Sequence, residues 1–141
     1  MKLYINGQDI KKLVLADVDK EDSLFVHEGE PETFLKAIVE FLVAAKKELR
    51  DVQELYAVVG PGSATSLRAV VTIANTLAFA TGVHLFGLTK DEGEQDLDSV
   101  RAIMDGTQEF VSSEGMLDPF YAQAPHITAS ARDALKRKLH S

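Results

Sequence analysis

The feature that most constrains the fold is an apolar run that ends in Gly60-Pro61-Gly62-Ser63 and is followed, after Arg68, by an uncharged stretch over residues 69–89. Glycine permits backbone angles that other residues resist, and proline fixes one dihedral angle. A serine at the start of a helix can also cap its free N–H groups. The segment therefore predicts a strand, a tight turn and a helix that begins near Ser63, with Ser63 as its cap.

The same turn is a candidate for a weak anion-binding corner formed by Gly60, Gly62 and Ser63. Backbone N–H groups gather at the positive end of a helix, where phosphate groups bind. A turn of this composition is also needed for geometry alone wherever a buried strand meets a buried helix. The sequence has neither a dinucleotide fingerprint nor a Walker lysine, since Arg68 comes five residues after Ser63. Both interpretations stay open at this stage.

The rest of the chain predicts a single α/β domain with a mixed five-stranded sheet. Three short apolar runs open the chain and indicate an antiparallel meander, at residues 3–5, 13–18 and 23–27. The alternating elements that follow imply parallel pairing: a helix over 31–49 with Lys46 and Lys47 at its end, a strand over 54–59, a helix over 63–81 and a strand over 83–88. Residues 91–96 read as an acidic surface loop, residues 97–104 as a short helix or a strand, and residues 128–139 as a C-terminal helix.

Composition narrows the function classes. Twenty-two acidic and 15 basic residues give a formal charge of −7, so direct nucleic-acid binding by this chain alone is not expected. The absence of cysteine excludes disulfides and thiolate zinc sites, and together with a polar N-terminus it fits a cytoplasmic protein. The uncharged stretch from residue 69 to 89 contains polar side chains that argue against a membrane span. The four histidines of the chain are scattered along the sequence, so neither a metal nor another cofactor is expected.

The run from Val59 to Arg68, followed by a helix of small residues and a strand ending in Gly87-Leu88-Thr89, resembles the signature of the TsaB (YeaZ-like) family. The matching motif positions are Gly60, Pro61, Gly62, Ser63 and Arg68. Two positions depart from the family pattern, because Ala64 replaces a phenylalanine and Ser66 replaces a glycine. The resemblance implies the actin-like (ribonuclease H-like) ATPase fold. It also implies a non-catalytic role in making threonylcarbamoyladenosine on tRNA, in partnership with the catalytic paralogue TsaD.

The resemblance further implies how the chain is divided. Residues 1–90 would form the N-terminal actin-like domain, and residues 91–141 an extension packed on it, with most of a second such domain missing. The first strand and turn of that fold would carry an Asp-Thr-Ser type phosphate motif, where this chain has Asn6, Gly7 and Gln8. Without the carboxylate and hydroxyls, no catalytic residue is expected. The alternatives are a small phosphate- or nucleotide-binding hydrolase using the Gly60–Ser63 corner, and a homodimeric module that has lost the family function.

The second predicted helix is apolar on most of its sides, which indicates burial either by the first helix or by another subunit. In the resembled family these two helices form half of an intersubunit bundle. We therefore expect a homodimer or a pair with a TsaD-like paralogue, with packing between the helices of one chain as the alternative. The expected interface residues are Phe34, Ile38, Phe41, Leu42, Ala45, Ala69, Ile73 and Ala80.

Overall fold

A computed structural model describes residues 1–111 and residue 117. Five strands form one sheet: β1 (Lys2–Asn6), β2 (Lys12–Asp17), β3 (Phe25–Glu28), β4 (Glu54–Gly60) and β5 (His84–Thr89). Three α-helices accompany it: α1 (Phe34–Ala44), α2 (Ala64–Thr81) and α3 (Asp96–Asp105). Short 3-10 turns occupy Glu21–Ser23, Pro31–Thr33 and Leu49–Asp51. The helix predicted over 128–139 lies outside the described residues.

The strand order is β3-β2-β1-β4-β5, and the sheet is mixed. β1, β2 and β3 pair antiparallel, whereas β4 lies parallel to both β1 and β5. This arrangement confirms the predicted meander, the parallel half and the α/β fold class. Residues 97–104, for which helix and strand were both open, belong to α3.

Side chains alternate between the two faces of the sheet, as a strand period of two requires. Leu3 and Ile5 point into a core that contains α1 and α2, whereas Tyr4 between them belongs to a second core closed by Val100 and Ile103 of α3. The predicted pair of main helices therefore shares one face. α3, within residues 96–105, packs on the same sheet, while the predicted domain boundary itself stays a prediction.

The first predicted helix is shorter than expected. Residues 31–49 are divided into a 3-10 turn, α1 and a second 3-10 turn, because α1 ends at Ala44. The Lys47 N–H donates to the Leu42 carbonyl at 2.8 Å, and Lys46 adopts a left-handed φ of 60° that closes the helix end. Lys46 and Lys47 thus follow the helix instead of forming its last turn. Leu49 still packs against the core.

Candidate functional site

The Gly60–Ser63 turn lies directly against the loop between β1 and β2. The Ser63 N–H donates to the Gln8 carbonyl oxygen at 2.7 Å. A Cβ added to Gly62 would lie 2.5 Å from that oxygen and 2.8 Å from the Gln8 Cα, so this position requires glycine for close approach. The left-handed φ of the turn is at Gly60, where it is 145°. One backbone donor of the predicted anion corner is therefore already bonded within the chain.

The Gln8 side chain fills the rest of this corner and is 4% exposed. Its Nε2 donates to the Pro61 carbonyl at 2.9 Å and to the Lys90 carbonyl. Its Oε1 accepts from Asn6 Nδ2 at 3.0 Å and from the Lys90 ammonium at 3.2 Å. Gln8 consequently ties together the ends of β1 and β5 and the turn before α2.

Asp96 extends the same polar network to α3. Its Oδ1 accepts a hydrogen bond from the Tyr4 hydroxyl at 2.6 Å and one from Asn6 Nδ2 at 2.7 Å. Burial, followed by the charge of Asp96, raises the pKa of Tyr4 far above its usual range. The sequence placed Asp96 at the end of an acidic surface loop. The loop interpretation holds for residues 91–95, which are exposed and outside any helix. It was wrong for Asp96, which begins α3 and bonds two residues of β1.

Two serines of the motif behave differently from each other. Ser63 occupies the predicted N-cap position of α2, and its carbonyl accepts the Leu67 N–H at 2.9 Å. Its side chain makes no capping hydrogen bond, so the predicted side-chain cap was wrong. Ser66 is completely buried, and its Oγ accepts the Lys11 N–H at 3.3 Å. Lys11 has a left-handed φ of 55°, so Ser66 helps to hold the β1–β2 loop in place. Arg68 is exposed on α2.

The described residues offer little for acid–base or metal chemistry. Over residues 1–111 and 117, no group of three histidine, cysteine or acidic side chains lies close enough together to hold a metal ion. His27 Nε2 is bonded to Thr33 Oγ1 at 2.8 Å, and His84 is exposed on the outer strand β5. The chemistry available at the corner is hydrogen bonding by the amides of Asn6 and Gln8 and by the Lys90 ammonium.

The residues predicted to form a partner interface divide into two groups. Phe34, Ile38 and Leu42 are at most 1% exposed, because the helical period turns them toward the sheet. They belong to the core and cannot line a surface, which corrects the prediction for these positions. The other members are half-buried or exposed: Phe41, Ala45, Ala69, Ile73 and Ala80.

A different set of apolar side chains forms the outer face of α1 and α2. Phe79 is 95% exposed, and Leu35, Val39 and Val43 are 46%, 38% and 65% exposed. A groove of about 300 Å³ runs between the two helices, lined by Leu35, Leu49, Thr72, Ile73, Thr76 and Leu77. We call the six groove-lining residues together with Phe79 the helical face. The sequence pattern missed Phe79, although its position outside the buried stripe of α2 was a usable signal.

Comparison with known proteins agrees with this fold. The family model described as "TsaD: tRNA N6-adenosine threonylcarbamoyltransferase" matches residues 29–93, which contain α1, β4, α2 and β5. Among solved structures, the chain is similar to "YeaZ from Pseudomonas aeruginosa", with 19% identity and a TM-score of 0.51 over 63% of this chain and 44% of that one. The chain has the actin-like fold. The resemblance to the TsaB (YeaZ-like) family expected from the sequence is thereby confirmed.

A second solved structure, described as an uncharacterized protein with similarity to peptidase YEAZ from Pseudomonas aeruginosa, gives 20% identity and the same TM-score of 0.51. The chain spans less than half the length of either structure, 44% in both cases. No curated protein sequence matches the chain significantly. Within the part of the chain that the structure describes, no helix is long and apolar enough to cross a membrane.

Proposed function

We propose that this chain is a non-catalytic, YeaZ-like interaction subunit in the modification of tRNA with threonylcarbamoyladenosine. The fold likeness to YeaZ and the match of residues 29–93 to the TsaD family support a role in this modification. In the resembled family, the non-catalytic member pairs with the catalytic TsaD. The proposed partner is therefore a second copy of this chain or a TsaD-like paralogue.

The observation that carries the proposal is the apolar helical face. A phenylalanine at 95% exposure on a helix that also lines an apolar groove is a candidate contact surface, because exposed apolar area is unfavourable in water until another surface covers it. Phe79 follows Thr76 by three residues and Thr72 by seven, which puts it on the side of α2 that these two groove residues occupy. α1 and α2 both lie within the segment that matches the TsaD family, so the face belongs to the shared part of the fold.

The filled corner supports the non-catalytic part of the proposal. Gln8 makes four side-chain hydrogen bonds there, two through Nε2 and two through Oε1. An anion approaching the Gly60–Ser63 turn would have to displace Gln8 and break the 2.7 Å bond from Ser63 N–H. The first loop also carries amides where a metal-bound nucleotide needs a carboxylate. The hydrolase alternative thus requires a rearrangement at an already bonded site.

The test introduces a charge at the centre of the proposed interface. Phe79→Glu should weaken self-association, measured by light scattering, or binding to a purified TsaD-like paralogue, measured by calorimetry, by about tenfold or more. The matched control is Ile10→Glu, because Ile10 is 71% exposed and lies in the β1–β2 loop. That loop contacts the first turn of α2 through Ser66, whereas Phe79 lies in its last turn. This control should bind like the parent protein.

The cellular readout is the threonylcarbamoyladenosine content of tRNA, measured by mass spectrometry of the nucleosides. It should fall when Phe79→Glu replaces the parent chain and should be unchanged for Ile10→Glu. A parent protein that remains monomeric at micromolar concentrations and does not bind the paralogue would contradict the interaction role. Unchanged threonylcarbamoyladenosine content of tRNA after loss of the gene would contradict a role in this modification.

A further inference from the structure

The two edge strands of the sheet, β3 and β5, differ in whether another segment covers them. β5 is covered on its outer side, where the Val111 N–H donates to the Gly87 carbonyl at 2.8 Å. The Phe110 ring also packs against Phe86, with ring centroids 5.2 Å apart. β3 forms the other edge and pairs only with β2. Within residues 1–111 and 117, no backbone hydrogen bond is made to its outer side.

The exposed edge carries three consecutive apolar residues. Leu24, Phe25 and Val26 follow one another in sequence and are 37%, 46% and 44% exposed. Natural edge strands are commonly protected by lysine, proline or a covering segment, because their free N–H and C=O groups pair readily with another chain. The outer edge of β3 has none of these protections among the described residues.

A cavity lies beside this edge. Its volume is about 360 Å³, and its lining consists of Leu24, Phe25, Phe41, Ala44 and Ala45 with the polar residues Asp17, Lys20 and Ser23. The Phe25 and Phe41 rings, 6.1 Å apart between centroids, form one wall. Phe41 and Ala45 were predicted to contact a partner through the helices, and both line this cavity. An apolar side chain presented by an added strand would find space here.

Carboxylates stand at both ends of β3. Asp22 lies in the turn before the strand and Glu28 is its last residue; both are exposed. Neither makes an ion pair with a described residue, whereas the neighbouring Glu21 and Glu30 are paired with Arg101 and Lys11. Lys20 also lines the cavity, but residues 17–28 contain five carboxylates and only this one ammonium. The net charge around the edge therefore favours a basic partner.

A second copy of the chain fits this edge poorly. When two identical strands pair antiparallel about a two-fold axis, the start of one lies beside the end of the other. The acidic turn before β3 in one copy would then lie near Glu28 of the other, and charges of like sign brought close together are destabilising. The charge pattern thus argues for a different chain as the occupant.

We propose that the outer edge of β3 binds an extended segment of a partner protein, which adds as a strand to the sheet. The segment carries an apolar side chain for the cavity, with lysine or arginine on each side of it. Backbone hydrogen bonds supply the affinity, while the cavity and the two carboxylates supply the selectivity. This surface is separate from the Phe79 end of the helical face and does not depend on the pairing proposed above.

The probe is a capped peptide of sequence Lys-Lys-Val-Thr-Leu-Thr-Val-Lys-Lys, titrated into the full chain labelled with ¹⁵N. Saturable changes in amide chemical shift are expected at β3 and at the residues that line the cavity. The control peptide has glutamate in place of every lysine and should bind about tenfold more weakly or not at all. Glu28→Gln should weaken binding of the lysine peptide and reduce its salt dependence.

A substitution at the edge completes the test. Val26→Lys should abolish peptide binding, whereas Val43→Lys, at an exposed valine of α1 outside the cavity lining, should not. If Val26→Lys fails to fold, the comparison of the two peptides on the parent chain still tests the proposal. Equal affinity for both peptides, shift changes centred on α2, or no saturable change would overturn the proposal. So would self-association that Val26→Lys abolishes without any peptide binding, because the edge would then belong to a second copy.

Discussion

Gly62→Ala tests whether the polar corner is as tightly closed as its geometry indicates. The new Cβ would lie 2.5 Å from the Gln8 carbonyl oxygen, whereas ordinary contacts begin at 3.4 Å, so backbone must move by roughly an ångström. Overpacking of this kind costs about 1–3 kcal/mol. The movement also breaks the Ser63 N–H bond to the Gln8 carbonyl, which is worth about 1 kcal/mol. We expect a loss of about 2–4 kcal/mol in unfolding free energy, and a larger loss for Gly62→Val.

Urea denaturation followed by circular dichroism measures this loss, and two other glycines serve as controls. An added Cβ at Gly93 meets nothing within 4 Å, so Gly93→Ala should lie within about 0.5 kcal/mol of the parent protein. Gly82 also has free space, but its φ is +75°, so Gly82→Ala should cost about 1–2 kcal/mol through backbone strain alone. A Gly62→Ala protein as stable as Gly93→Ala would refute the argument for close approach.

Two further predictions concern pH and nucleotides. Burial, followed by the charge of Glu54, raises the pKa of Tyr56 from 10.0 to about 12, and the pKa of Tyr4 is raised further. Above about pH 10 the folded state therefore keeps phenol protons that the unfolded chain loses. The tyrosine contribution to the unfolding free energy should therefore be fully present below about pH 10 and be lost as the pH rises toward 12, with a smaller loss for Tyr56→Phe. A stability that does not change between about pH 10 and pH 12 would contradict the reasoning. Calorimetric titration with magnesium and ATP should give no measurable binding or hydrolysis, because Gln8 occupies the corner beside the Gly60–Ser63 turn. Tight binding, with turnover that Ser63→Ala abolishes, would support the hydrolase instead.

The order of the elements could be predicted because short-range patterns determine it. Alternation in the first strands and the Gly60-Pro61-Gly62-Ser63 turn each predicted the correct element, and strand and helix alternation predicted the parallel half. The end of α1 was missed, because helical spacing continues to Leu49 while the chain leaves the helix at Ala44. Leu49 packs against the core from a separate 3-10 turn, so its apolar character gave no sign of the break.

The site was harder to predict because its contacts join residues far apart in sequence. Gln8 and Lys90 are 82 positions apart, and Tyr4 and Asp96 are 92 apart. The sequence showed that the first loop lacks the Asp-Thr-Ser type phosphate motif. It gave no indication that the Gln8 side chain fills the corner beside the Gly60–Ser63 turn. The interface prediction used apolar character alone, which does not distinguish Ile38 in the core from Phe79 in solvent.

The closed corner and the exposed helical face are connected through α2. In a nucleotide-dependent fold, a bound phosphate and its metal hold the loops at the strand ends together. Here Gln8 bonds the ends of β1 and β5 and the turn that leads into α2, so the helix start is fixed without a ligand. Because Phe79 lies on the same rigid helix, its presentation should not depend on nucleotide. Pairing through the helical face is therefore expected to be equally strong with and without magnesium and ATP, and a nucleotide-dependent affinity would show that the corner opens.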